Sequence, residues 1–142
     1  MHLLEVSNVS KINQDNTVVY DLSFTQEQGE NIAIAGETGS GKTTILKLIG
    51  GLLQPNEGTI IFQGKKVLGS AHQLIPGEAG TGYLSQYFEL WNNYYIHEIL
   101  SYAGKIEEKD MEKICRICRI ENFMQRTTAE LSGGERQRVA LA

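Results

Sequence analysis

The chain has little proline, 2 residues in 142, against a hydrophobic content of 41%. That balance fits one globular domain, and a chain of this length can bury roughly 68% of the surface its unfolded form exposes. It has no excess of positive charge. Lys and Arg number 13 and Asp and Glu 17, for a formal net charge of -4. This leaves no electrostatic case for a nucleic-acid partner, whose phosphates need basic side chains to neutralise them. It has no long apolar run of the ~20 residues that a membrane helix needs. Its start, Met1-His2-Leu3-Leu4-Glu5, lacks the basic opening and apolar stretch of a signal peptide. These absences point to a cytoplasmic chain, and any work at a membrane would need a partner that supplies the span. Cysteine is scarce as well. Cys115 and Cys118 stand in C-x-x-C spacing, but a zinc site wants four ligands and no second pair exists. The pair reads as two small apolar residues near one helix face.

What is present divides into two textures. Leu3 to Val9 alternates apolar and polar residues, and Val18 to Phe24 is rich in Val, Tyr and Phe, so both read as strands. Polar turns are expected at Asn13–Asn16 and Glu27–Glu30. Ile32-Ala33-Ile34-Ala35 has the pattern of a short strand buried on both faces. From Lys42 to Ile49 the spacing of Ile45, Leu46, Leu48 and Ile49 predicts a helix, closed by Gly50-Gly51. Gly58–Phe62 reads as a strand, Pro76–Gly82 as a loop, and Tyr83-Leu84-Ser85 as a short strand ending at Gln86. From Ile96 to Phe123 the pattern is helical, with Ile99, Leu100, Met111, Ile114 and Ile117 between charged residues. There is no internal repeat and no low-complexity tract. The expected organisation is one domain, β-rich over 1–86 and helical over 87–142.

The strongest chemistry lies at Gly36-Glu37-Thr38-Gly39-Ser40-Gly41-Lys42-Thr43, with Thr44 following, which fits the phosphate-binding pattern G-x-x-x-x-G-K-[ST]. Glycines allow backbone conformations closed to other residues and let phosphate approach the chain. Successive N–H groups can then line one concavity, and the helix behind them adds roughly half a positive charge at its amino end. Lys42 would meet the β- and γ-phosphates, and the Thr43 hydroxyl would meet Mg²⁺. Gly39-x-Gly41 has no third glycine at position 44, which rejects a dinucleotide-type G-x-G-x-x-G.

Downstream, Leu131-Ser132-Gly133-Gly134-Glu135-Arg136-Gln137-Arg138 resembles the signature of the ATP-binding cassette (ABC) family. Physically it is a second anion site. Ser132 can cap a helix that begins near Gly133, and two glycines keep its start open. Gln86, in Tyr83-Leu84-Ser85-Gln86, resembles the family's glutamine loop, and a glutamine carbonyl can coordinate Mg²⁺ while its NH₂ holds a water. The resemblance covers the whole chain. It implies an α/β fold, a P-loop NTPase of ABC type with an antiparallel β-subdomain, a partial nucleotide-binding core and a helical subdomain. It implies ATP and Mg²⁺ as ligands, with Ser132, Gly133, Gly134 and Glu135 facing the γ-phosphate of a second cassette in a head-to-tail dimer. The short interval from Gln86 to Ser132 suits transporter ATPases rather than relatives with long coiled coils. A transmembrane permease subunit is therefore the implied partner, and the inner face of the cell membrane the implied location. The aromatic segment Tyr87-Phe88-Glu89-Leu90-Trp91 with Tyr94-Tyr95 reads either as a docking surface for that permease or as core packing.

The chain departs from the family pattern in two places. Asn13 stands where the family often stacks an aromatic on adenine, which leaves base preference open. The family's metal-binding aspartate, catalytic glutamate and switch histidine follow the signature helix, and none is among these residues. On that pattern the 142 residues are a fragment that holds phosphates but turns over ATP poorly. Two other readings follow from the same residues: a non-hydrolytic regulatory module, or a soluble cassette ATPase acting on ribosomes or DNA.

Overall fold

The computed structural model describes residues 2–14, 16–71, 77–104 and 106–142. The chain forms two compact units, Met1–Tyr83 and Leu84–Ala142.

The first unit is built on a four-stranded antiparallel sheet in the order β2-β1-β3-β4. The strands are β1 (Leu4–Asn13), β2 (Asn16–Gln26), β3 (Glu57–Phe62) and β4 (Lys65–Lys66). Central β1 pairs on both sides, with Val6 opposite Phe24 of β2 and Ile60 of β3. Its alternation is clean through Leu4 and Val6, which are buried, while Glu5 and Ser7 are not. Asn8 then adopts a left-handed conformation with φ 50, and the register shifts. The shift explains why Val9 and Ser10, adjacent in sequence, are both buried. Helix α1 (Lys42–Ile49) supplies Leu48 to the same core as Leu4, Val6, Val9, Val19, Ile60 and Val67. Burying a leucine fully contributes about 2 kcal/mol of transfer free energy. The helix ends where expected: the Gly50 N–H donates to Leu46 O at 3.0 Å, and Gly51 turns away at φ 68.

Two expected strands do not form. Ile32–Ala35 is irregular, and Ile32 is exposed rather than buried on both faces. A strand of this kind is held by hydrogen-bonding neighbours, and among the described residues none lies beside it. Tyr83-Leu84-Ser85 is irregular for the same reason, and it straddles the boundary between the units. Of the expected loop at Pro76–Gly82, Pro76 lies outside the described residues.

The second unit is helical. It contains α2 (Ile96–Ala103), α3 (Glu108–Cys118), single 3₁₀ turns at Glu121–Phe123 and Thr128–Glu130, and α4 (Gly133–Leu141). Its core gathers Ile96, Leu100, Cys115, Ile120, Phe123, Leu131 and Val139. Cys115 and Cys118 both lie on α3, Cys115 buried and Cys118 half-buried, as free thiols. Burial, first, and the neighbouring Cys118 push the Cys115 thiol above its ordinary range. Among the described residues no helix is long and apolar enough to cross a membrane.

Candidate nucleotide-binding and signature sites

The phosphate-binding pattern folds as a loop wrapped around the start of α1. Gly39 and Gly41 take φ 87 and 86, in the left-handed region that favours glycine. At Gly41 a side chain is also excluded by space, since a Cβ there would sit 2.5 Å from the carbonyl oxygen of Val18. The loop is thus seated directly on the backbone of β2. At Gly36 a Cβ would meet Ser40 Oγ at 2.7 Å. Gly41 stands at the amino end of α1 and has no side chain to cap it, and no acidic residue occupies the first turn. The leading N–H groups and the positive helix end are left for an anion.

Lys42 folds back into this loop. Its Nζ donates to Gly36 O at 2.9 Å, to Glu37 O at 2.6 Å and toward Ser40 Oγ at 3.4 Å. The ammonium therefore already lies within the turn where the phosphates would enter, held by acceptors that an anion can replace. Thr43 and Glu37, Thr38, Gly39 and Ser40 are exposed, and Thr44 is half-buried in the first turn. Thr43 offers one hard hydroxyl oxygen, which fits Mg²⁺, an ion that keeps most of its shell from water and substrate phosphates. Among the described residues no cluster of three or more His, Cys, Asp or Glu could hold a metal by itself.

The signature residues form a capped helix start in the second unit. The Ser132 N–H donates to Glu135 Oε2 at 2.8 Å, and the Glu135 N–H donates to Ser132 Oγ at 3.4 Å. This reciprocal box satisfies two terminal groups at once. The hydrogen bonds from Ser132, aided by the positive Arg126 and Arg138, hold the Glu135 carboxyl below its ordinary range. Gly133 and Gly134 are exposed, and a Cβ on either would meet nothing within 4 Å. Among the described residues no atom demands glycine there, so the bareness of that surface suits something arriving from outside.

Gln86 lies exposed in a turn of the second unit, where the Phe88 N–H donates to Ser85 O at 3.3 Å. The phosphate loop belongs to the first unit, Gln86 and the signature to the second. The aromatic segment is largely on the surface: Tyr87 is 82% exposed and Trp91 54%. Trp91 packs edge-on against Tyr94, with ring centres 5.6 Å apart, and lies 5.9 Å from Tyr102. With Glu89, Leu90 and Asn92, Trp91 and Tyr94 line a shallow open groove.

Sequence reasoning missed Thr127, Thr128 and Glu130. Thr127 and Glu130 form a second reciprocal box just ahead of the first, with the Thr127 N–H donating to Glu130 Oε2 at 2.6 Å. The pattern [ST]-x-x-E was readable twice in succession, at Thr127 and at Ser132.

Known proteins resemble this chain. The family model described as ABC transporter matches residues 19–142. The Fe(3+) ions import ATP-binding protein FbpC 2 of Haemophilus influenzae is 33% identical over 147 residues, covering 99% of this chain and 41% of that protein. The spermidine/putrescine import ATP-binding protein PotA of Chromobacterium violaceum is 34% identical, covering 100% of this chain and 40% of that protein. The chain thus spans about two-fifths of the length of the curated relatives it matches. Among solved structures, an ATP-binding subunit of an ABC transporter superposes with a TM-score of 0.76 at 26% identity, over 98% of this chain and 60% of that one. A dimeric ATP-binding cassette in a post-hydrolysis state, bound to ADP and Pi, gives 0.73 at 25% identity, over 97% of this chain and 67% of that one. The phosphate loop seated on β2, the capped signature helix and these likenesses place the chain in the ABC transporter family, with the fold of its ATP-binding subunits.

Proposed function

We propose that the chain is the ATP-binding part of the motor subunit of an ABC importer. It would couple ATP binding and hydrolysis to movement of a solute through a membrane permease. The observation that carries this reading is Lys42, held inside a glycine loop at the uncapped start of α1. There the loop N–H groups and Lys42 would grip the β- and γ-phosphates, and Lys42 would leave its loop carbonyls for them. Thr43 would hold Mg²⁺, which neutralises charge on the same oxygens. Gln86 would add a further oxygen ligand to the metal and help position water. Ser132, Gly133, Gly134 and Glu135 would face the γ-phosphate held by a second cassette, paired head to tail.

These 142 residues bind and orient the triphosphate. The exposed aromatic segment around Trp91 is assigned to the permease, since Trp91, Tyr94 and Tyr102 stand grouped at the surface and aromatics are enriched at protein contacts. The chain would then sit at the cytoplasmic face of the membrane, attached through that partner. The relatives named above are ATP-binding proteins named for the import of solutes as unlike as a ferric ion and a polyamine. Cargo choice is therefore assigned to the permease rather than to this chain.

The test is Lys42→Ala with ATP titrated by calorimetry. Charge-assisted hydrogen bonds contribute roughly 1.5–3 kcal/mol each, so the affinity should fall at least tenfold. Unchanged affinity would remove the phosphate-loop assignment.

A further inference from the structure

The second unit holds a polar side chain buried in an unusual place. Thr128 is 3% exposed, and its hydroxyl and its N–H both find partners on the aromatic segment. Its Oγ1 donates to Trp91 O at 3.0 Å and accepts the Asn93 N–H at 3.2 Å. Its own N–H donates to Tyr94 O at 3.1 Å. Beside it Tyr95 and Thr127 form an antiparallel bridge, and the Ile96 N–H donates to Arg126 O at 3.0 Å. Asn93 sits at φ 65, a left-handed conformation that asparagine tolerates when local bonds hold it, and its N–H is the one that reaches Thr128. The segment 91–96 is thus laced to 126–128 at Trp91 and at each residue from Asn93 to Ile96.

The far side of the lacing leads straight to the signature. Thr127 opens the box closed by Glu130, Leu131 is buried in the core, and Ser132 opens the next box. From Arg126 a second connection runs through side chains. Its Nη1 lies 3.5 Å from Glu135 Oε1, and its guanidinium lies over the Phe123 ring at 5.4 Å. Arg138, from α4 itself, lies over the same ring at 5.2 Å.

We infer that Thr128 is a positioning residue, the pin that makes the exposed aromatic surface and the start of the signature helix move as one piece. Thr128 touches no nucleotide and acts through the backbone at Trp91 and Asn93 on one side and the signature cap on the other. A force on the Trp91 face then reorients Ser132–Glu135, and an anion gripped at Ser132–Glu135 must be felt at Trp91, because such coupling is reciprocal. The consequence for ATP rests on the transport-ATPase reading above.

The chain provides its own reporter, since Trp91 is its single tryptophan. The isosteric change Thr128→Val removes both hydroxyl bonds, and Thr128→Ser keeps them. Without nucleotide, amide exchange at Ser132–Glu135 should be at least tenfold faster in Thr128→Val than in wild type. It should stay within twofold in Thr128→Ser, and α1 should be unchanged in both. With Mg-ATP, at protein concentrations where two copies pair, Trp91 emission should shift in wild type and in Thr128→Ser. The shift should shrink at least threefold in Thr128→Val, at an ATP affinity within twofold of wild type. Thr128→Ala serves if the valine variant does not fold. Unaltered signature exchange together with a full Trp91 response in the folded variant overturns the pin. A wild type that pairs on ATP while Trp91 stays silent overturns it too. Absence of ATP binding or of ATP-dependent pairing in wild type sinks the functional reading instead, and the nucleotide-free exchange data still decide the pin.

Discussion

Arg126 Nη1 lies 3.5 Å from one oxygen of Glu135, and the other oxygen of that carboxylate accepts the Ser132 N–H at 2.8 Å. A carboxylate at the proposed γ-phosphate site would repel an anion, and this one is already engaged on both oxygens. The geometry lets Glu135 shape the helix start while Arg126 offsets its charge.

The first prediction concerns acid. Glu135 and Glu130 both sit below the ordinary glutamate value of 4.5, chiefly through backbone hydrogen bonds from Ser132 and Thr127. As the pH falls, the unfolded chain takes up these protons first. The stability they contribute is complete above the ordinary value and is lost as the pH drops through it toward the lower native values. Thermal melts followed by helical circular dichroism from pH 7 to pH 3 should therefore show wild type falling more steeply than the double variant Glu130→Gln, Glu135→Gln. Parallel curves would mean the two boxes carry no acid-linked stability.

The second prediction separates two loop glycines with nearly the same φ. Gly39 has open space where a Cβ would go, whereas at Gly41 the Cβ would press on Val18 O. Gly39→Ala carries only the left-handed penalty of roughly 1–2 kcal/mol. Gly41→Ala carries that and a backbone clash, so the loop must leave β2. Melting temperature should drop clearly further in Gly41→Ala. Equal drops would show that the loop is not seated on Val18 as described.

How much of this was legible in the sequence depended on whether a segment carries its own signal. The phosphate loop, α1 and the Ser132 cap were readable because glycines, a lysine and a capping serine act through their own backbone. Strands β1, β2 and β3 were readable because each finds its partner within the first unit, although their ends extend further than alternation suggested. Ile32–Ala35 was misread because a buried strand is defined by its neighbours, and small apolar residues alone do not supply them. The choice at Trp91 between docking face and core could not be made from composition, since aromatics serve both. The lacing at Thr128 was invisible because its partners, Trp91 O, Asn93 N–H and Tyr94 O, are backbone groups brought close only by the fold.

The third prediction concerns the two thiols. Cys115 is buried with its pKa raised by desolvation, and Cys118 is only half-buried. The thiolate is the reactive form, so both access and ionisation protect Cys115. Under native conditions iodoacetamide should modify Cys118 first, with Cys115 following only after denaturant is added. Equal labelling of both in the native protein would contradict the packing of α3.

The last prediction sets stability against function at the signature. Gly133 and Gly134 open α4, with nothing within 4 Å of an added Cβ, and neither has a positive φ. Alanine in a helix is favoured over glycine by roughly 0.5–1 kcal/mol, somewhat less near the end. Within the chain, then, Gly133→Ala and Gly134→Ala should leave the melting temperature unchanged or raise it slightly. The proposed encounter with a second cassette runs the other way, because a methyl group on either residue would stand between the helix start and an arriving γ-phosphate. ATP-dependent dimerisation, followed by analytical ultracentrifugation, should weaken at least tenfold in both variants, while ATP affinity at the phosphate loop is kept. A variant that gains stability and loses pairing would identify the glycines as room held for a partner. Full pairing in both would mean that Ser132–Glu135 is an ordinary capped helix start, and the head-to-tail arrangement would have to be abandoned.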